Sequence, residues 1–124
     1  MITTVYDIEP VAKPRMTRRD KWLKPPRPKV AKYWAFKAQC QYERVILPEA
    51  GAEIIFQVAM PKSWSKKKKI AMVMTGHQQT PDLDNFIKAL LDSVYQDDSK
   101  VWHYTARKIW GMQGQIIITR PDIT

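Results

Sequence analysis

PDLDNFIKALLDSVY (residues 81–95) is the stretch from which the rest of the chain can be read. Leu83, Phe86, Ile87, Leu90, Leu91 and Val94 recur at three- and four-residue intervals, which predicts an amphipathic helix from about Asp82 to Tyr95. Its apolar face needs a surface to cover. Upstream, AEIIFQVAM (52–60) places Ala52, Ile54, Phe56, Val58 and Met60 at alternate positions, as a strand with one buried face does. A helix lying on a sheet is therefore the expected unit.

The flanking segments extend that unit. Residues 2–8, ITTVYDI, are rich in β-branched side chains and predict a first strand. Val30 to Leu47 carries a helical pattern that Pro48 is expected to stop. A short helix is expected around Ser65 to Val73. Lys100 to Trp110 and Gln115 to Arg120 predict two strands, with Gly111 and Gly114 suited to a hairpin between them. Glu9 to Lys29 holds five prolines without periodicity and predicts a long, exposed basic loop. With no repeat and no linker, the expectation is one α+β domain over residues 1–124. Its order is strand, helix, strand, helix, strand, strand, with two helices packed on a small mixed sheet.

Composition narrows the function. The 124 residues suffice for one core, and 44% apolar residues argue against a disordered chain. No apolar run approaches the roughly 18 residues of a membrane span, and no secretory signal is recognisable at the N-terminus. Cys40 stands alone, so neither an internal disulfide nor a thiolate zinc site is expected, and a reducing, cytoplasmic compartment is the simplest setting.

The 21 Lys and Arg against 12 Asp and Glu give a net charge of +9, which favours a polyanion, nucleic acid first. The signs are segregated. Lys13 to Lys37 holds ten cations and one acid, and Lys62 with Lys66 to Lys69 adds five. Asp82, Asp84, Asp92, Asp97 and Asp98 then put five of the 12 carboxylates into 17 residues. Lys13, Arg15, Arg18, Arg19 and Lys66, Lys67, Lys68, Lys69 are the candidate DNA contacts, directed at phosphate rather than at sequence.

Asp82 and Asp84 are two residues apart where an extended segment enters a helix, so both can point at one ion, and Lys88 lies one turn beyond Asp84. Asp97 and Asp98 follow the helix and offer a third carboxylate. Such hard oxygen ligands suit Mg²⁺, with Mn²⁺ as a substitute. A helix cap, a favourable charge at the helix dipole and a surface ion pair would account for Asp82, Asp84 and Lys88 without any metal.

PDLDNFIK, the Asp97-Asp98 pair and the upstream MPKSWSKKKK together resemble the RusA family of Holliday-junction resolvases, over most of the chain from Lys13 to the expected final hairpin. The resemblance implies an α+β homodimer, bacterial or phage-encoded, that binds branched DNA, in particular the four-way junction. It implies paired phosphodiester cleavage with Mg²⁺ in recombination and repair, by Asp82, Asp84, Asp98 and Lys88, the three aspartates holding the metal. The turn between the helix and the acidic pair is shorter than is usual in the family and lacks its Asn-Gly, which leaves Asp97 as an alternative to Asp98 as third ligand. A non-catalytic basic DNA-binding protein and a nuclease for other branched DNA are the competing readings.

Of the remaining residues, His77 and His103 are expected to be hydrogen-bonded or exposed rather than general bases. Cys40 is expected in the core. Trp34, Trp102 and Trp110 are expected in the core or at a dimer interface. Trp22 and Trp64 lie in basic loops, where they either stack on unpaired bases or anchor the loops.

Overall fold

The computed structural model describes residues 1–122. Its elements are β1 (Ile2–Tyr6), α1 (Pro28–Tyr42), β2 (Ala52–Ala59), α2 (Lys66–Met72), α3 (Leu83–Val94), β3 (Tyr104–Gly111) and β4 (Gln115–Arg120), with 3-10 turns at Arg18–Lys21 and Asp98–Lys100. The four strands form one mixed sheet in the order β1-β4-β2-β3. β4 runs antiparallel to both β1 and β2, and β2 runs parallel to β3.

α1 and α3 pack together and cover one face of the sheet. Phe36 and Cys40 from α1, Phe86, Leu90 and Leu91 from α3, and Ile54, Phe56, Ile116 and Ile118 from the strands form one buried cluster. Phe56 and Phe86 stack with ring centroids 5.4 Å apart, joining β2 directly to α3. Burial pushes the Cys40 thiol up to about 12, so it is an inert core group. The opposite sheet face carries Thr3, Val5, Glu53, Ile55, Arg107, Ile117 and Thr119, none of them buried.

Three expectations are corrected. The last two strands are not a hairpin: β2 lies between β3 and β4, and their connection crosses over its end. Gly111 makes the crossing possible, because a Cβ there would fall 2.3 Å from the Gln57 side chain. Gln57 in turn donates to the Gln113 carbonyl at 2.9 Å and to Gln115 Oε1 at 3.2 Å, closing the crossover.

α1 ends at Tyr42 rather than running to Leu47. Arg44 adopts φ 53°, and the Val45 N–H returns to the Cys40 carbonyl at 3.1 Å. This left-handed closure terminates the helix before Pro48 is reached. Pro28 stands at its first position, where a missing N–H costs nothing.

The Glu9–Lys29 segment is not simply an exposed loop. Asp20 is buried (2% exposed) and pairs with Arg27, Nε to Oδ1 at 2.8 Å.

Candidate active site

Residues 74–81 run along the outer edge of β3. The Met74 N–H donates to the Trp110 carbonyl (2.8 Å), the Trp110 N–H to that of Thr75 (2.9 Å), and the His77 N–H to that of Lys108 (3.0 Å). This satisfies backbone groups of an otherwise open sheet edge. The segment delivers Asp82 as the N-cap of α3, in extended conformation with ψ 146°. Its carboxylate does not cap the helix, although the Asn85 N–H donates to the Asp82 carbonyl at 3.1 Å. Asp84 occupies the first turn, and its Oδ2 lies 3.7 Å from Lys88 Nζ. Asp82, Asp84 and Lys88 are all exposed. As a structural ion pair the last two contribute little, so their placement leaves both groups available to a ligand.

The basic loop comes to the same place. A groove of about 630 Å³ is lined by Lys13, Arg15, Arg27, Lys29 and Lys32 together with Thr80, Pro81, Asn85 and Phe86. A neighbouring hollow of about 500 Å³ is lined by Lys13, Pro14, Arg15, Asn85 and Lys88. The start of α3 therefore meets a wall of cations, which is the setting a phosphate backbone needs. Lys13 is held differently from Arg15, Arg18 and Arg19. Its N–H donates to the Asn85 carbonyl at 3.0 Å, and its ammonium pairs with Asp92 of α3, which also accepts from the Tyr33 hydroxyl at 3.4 Å. Lys13 thus ties the loop to the helix. Burial, with Asp92 beside it, pushes the Tyr33 hydroxyl up to about 12. Glu9 lies in the same groove, and partial burial raises its carboxyl above the usual range.

Asp97 and Asp98 stand past the other end of α3. Asp97 caps the second 3-10 turn, accepting from the Ser99 N–H at 3.1 Å and the Ser99 hydroxyl at 2.5 Å, and these bonds hold its carboxyl below the usual range. Asp98 is exposed and makes no side-chain hydrogen bond or ion pair among the described residues. The twelve-residue helix lies between Asp82 and the later pair, a length of about 18 Å along the axis. Among the described residues, no three His, Cys, Asp or Glu side chains of the chain are gathered to hold a metal. A cation that needs three carboxylates from one chain does not fit. The exposed carboxylates of Asp82 and Asp84 at the start of α3 are the groups that would hold an ion completed by waters and substrate phosphate.

A family model, Endodeoxyribonuclease RusA, matches residues 7–119. The chain belongs to the RusA endodeoxyribonuclease family. No curated protein matches it. Family membership implies a Holliday-junction-resolving endonuclease, and the elements around the start of α3 can be described in that light.

In this RusA chain the second basic cluster forms α2. Ser65 caps it, accepting from the Lys68 N–H at 3.1 Å. Lys66, Lys67 and Lys68 are exposed and Lys69 half-buried. The Lys68 ammonium lies 4.3 Å from the Trp64 ring centroid. Trp64 packs on Trp110 at 4.8 Å, and Trp110 on His77 at 4.1 Å. This stack carries α2 against the segment that leads to Asp82. Trp110 and Trp64 are anchors, whereas Trp22, Trp34 and Trp102 are exposed, which removes Trp34 and Trp102 from the core.

His77 is buried, its Nδ1 has no partner among the described residues, and burial followed by the nearby Lys108 charge lowers its pKa. His103 is exposed, and its Nδ1 accepts from the Gly51 N–H at 3.2 Å. Lys108 escaped the sequence reading. It pairs in register with Phe56, and Ala106 with the buried Ile54, so a cation sits on the covered side of an edge strand. Its Nζ donates to the carbonyls of Gln79 (2.5 Å) and Pro81 (2.8 Å). The signal available was a lysine at an alternate position between Ala106 and Trp110.

Proposed function

We propose that this RusA-family protein is a divalent-metal-dependent, structure-selective endodeoxyribonuclease that resolves four-way DNA junctions by paired phosphodiester cleavage, in DNA recombination and repair. The observation that carries the reading is that the exposed Asp82, Asp84 and Lys88 stand on the turn of α3 whose Asn85 and Lys88 line hollows shared with Lys13 and Arg15.

Arg15 and its neighbours in the groove hold the phosphate backbone, and the exposed lysines of α2 extend that grip. Asp82 and Asp84 hold Mg²⁺, with Mn²⁺ as a substitute. When bound, such an ion activates water and stabilises charge at the scissile phosphate. The Lys88 ammonium, one turn from Asp84, neutralises charge that develops on the phosphoryl oxygens or the leaving oxygen.

Resolution requires two cuts in strands of like polarity, which suits a homodimer with two identical sites. We place Asp98 in these sites as the third carboxylate. Because it follows the far end of α3 while Asp82 caps the near end and Asp84 stands in the first turn, each site would take Asp98 from the other subunit. The setting is cytoplasmic, in a bacterium or its phage.

The deciding experiment incubates four-way junction, flap, linear duplex and single-stranded DNA side by side, with and without Mg²⁺. Paired nicks in the junction alone, only with metal, are expected. Binding with no metal-dependent product would make the protein a non-catalytic DNA binder, and preferential cutting of flaps would shift it to another branched substrate.

A further inference from the structure

We propose that Trp22 forms a stacking site for an unpaired nucleobase, held at the tip of a rigid cationic loop beside the active-site groove. The inference rests on the nuclease reading for the DNA being branched, while the stacking site itself stands on the geometry of residues 15–27.

That segment is closed into an ordered ring. Asp20 accepts from the Thr17 N–H (2.7 Å), the Thr17 hydroxyl (3.2 Å) and two Arg27 nitrogens (2.8 and 2.9 Å), and Arg27 also donates to the Arg15 carbonyl at 2.9 Å. At the tip of the ring the N–H groups of Trp22 and Leu23 both donate to the Arg19 carbonyl, at 2.9 and 3.1 Å. The backbone is thus fixed by an ion pair whose carboxylate is buried, yet Trp22 at the tip is 79% exposed and meets no other aromatic ring among the described residues.

Trp64, the other tryptophan of the basic segments, is packed on Trp110, so packing explains one of them and not the other. Around Trp22 the exposed charged side chains Arg18, Arg19, Lys21 and Lys24 are all cations. An aromatic face among cations is the combination with which proteins hold single-stranded nucleic acid, the ring taking a base and the cations its phosphates. Paired bases in duplex hide their faces, so such a contact discriminates for strand ends and branch points without reading sequence. Arg15, at the base of the ring, lines the hollow that reaches Asn85 and Lys88, so the ring is joined to the cationic surface beside the start of α3.

The test uses the full chain carrying Asp84→Asn, without divalent metal, at fixed salt. Its ligands are a four-way junction with 2-aminopurine at the branch, a linear duplex of equal length and a single-stranded oligonucleotide. Adding Trp22→Ala is expected to weaken junction and single-strand binding about tenfold and to reduce the change in 2-aminopurine emission, with duplex affinity unchanged. Trp22→Phe is expected to keep most of the affinity, and an unchanged melting temperature shows that the fold survives.

Equal losses on all three ligands, no loss on any, or Trp22→Phe behaving as Trp22→Ala would overturn the stacking site. If the Asp84→Asn chain with Trp22 intact failed to prefer junction over duplex, the branched-DNA reading would fail instead, and the single-stranded ligand would still decide the role of Trp22.

Discussion

The ammonium of Lys108 donates a 2.8 Å hydrogen bond to the carbonyl of Pro81, the residue immediately before Asp82. A side chain on an edge strand thereby fixes the exit of the segment that carries the first candidate metal ligand. Hydrogen bonds from a charged donor are among the stronger ones in proteins, and these two leave no slack between β3 and the start of α3.

Lys108→Met should therefore cost about 1–3 kcal/mol of stability and raise the Mg²⁺ concentration needed for half-maximal cleavage. Lys108→Arg, which retains the donor, should recover much of both. Denaturant unfolding and a metal titration measure the two effects separately, and an unchanged metal requirement in Lys108→Met would remove Lys108 from any positioning role.

Asp84→Asn removes a negative oxygen beside the phosphate path and should lower junction cleavage by a factor on the order of 10³ or more. Binding should be kept or tightened, since a charge that repels DNA is lost. Gel-shift and cleavage assays on one junction separate the two properties; wild-type cleavage by this variant would show the assigned site to be wrong.

Mixing two inactive variants tests how the site is assembled. If each centre combines Asp84 of one subunit with Asp98 of the other, an Asp84→Asn/Asp98→Asn heterodimer holds one intact centre and one doubly altered one. Exchanged subunits should then regain about a quarter of the wild-type centres, seen as single nicks. Should every centre draw both residues from one chain, mixing restores nothing.

His77 makes stability depend on mild acid. Burial lowers its pKa in the folded state, so below about pH 6.5, the ordinary histidine value, the unfolded chain binds the proton more readily. Its contribution to stability is whole above that pH and lost as the pH falls through the window below it. Lowering the pH from about 7.5 to about 5.5 should reduce the melting temperature. His77→Phe, which can still pack on Trp110, should flatten that dependence.

The elements whose apolar periodicity is local were legible from the sequence. α3 occupies Leu83–Val94 with Asp82 and Tyr95 at its caps, and α2 lies between Ser65 and Val73. What escaped depends on partners distant in sequence. The end of α1 is set by the backbone turn at Arg44, not by a proline. The order of β3 and β4 is decided by β2, whose insertion no local pattern announces.

The site shows the same division. The carboxylates and Lys88 stand out by spacing, whereas the pairings of Lys13 with Asp92 and of Asp20 with Arg27 appear only in three dimensions. The former gives one expected DNA contact a partner within the chain, and the latter turns an apparently loose loop into a fixed one.

The insertion of β2 between the last two strands bears on how the chain matures at the ribosome. β4, the last of the four sheet strands in chain order, is an inner strand and the one to which β1 is paired. Until it emerges, β1 has no neighbour and the core lacks Ile116 and Ile118. A nascent chain halted before residue 115 has only the β2–β3 half of its sheet to form, so the competent domain exists only once residues 115–120 have emerged.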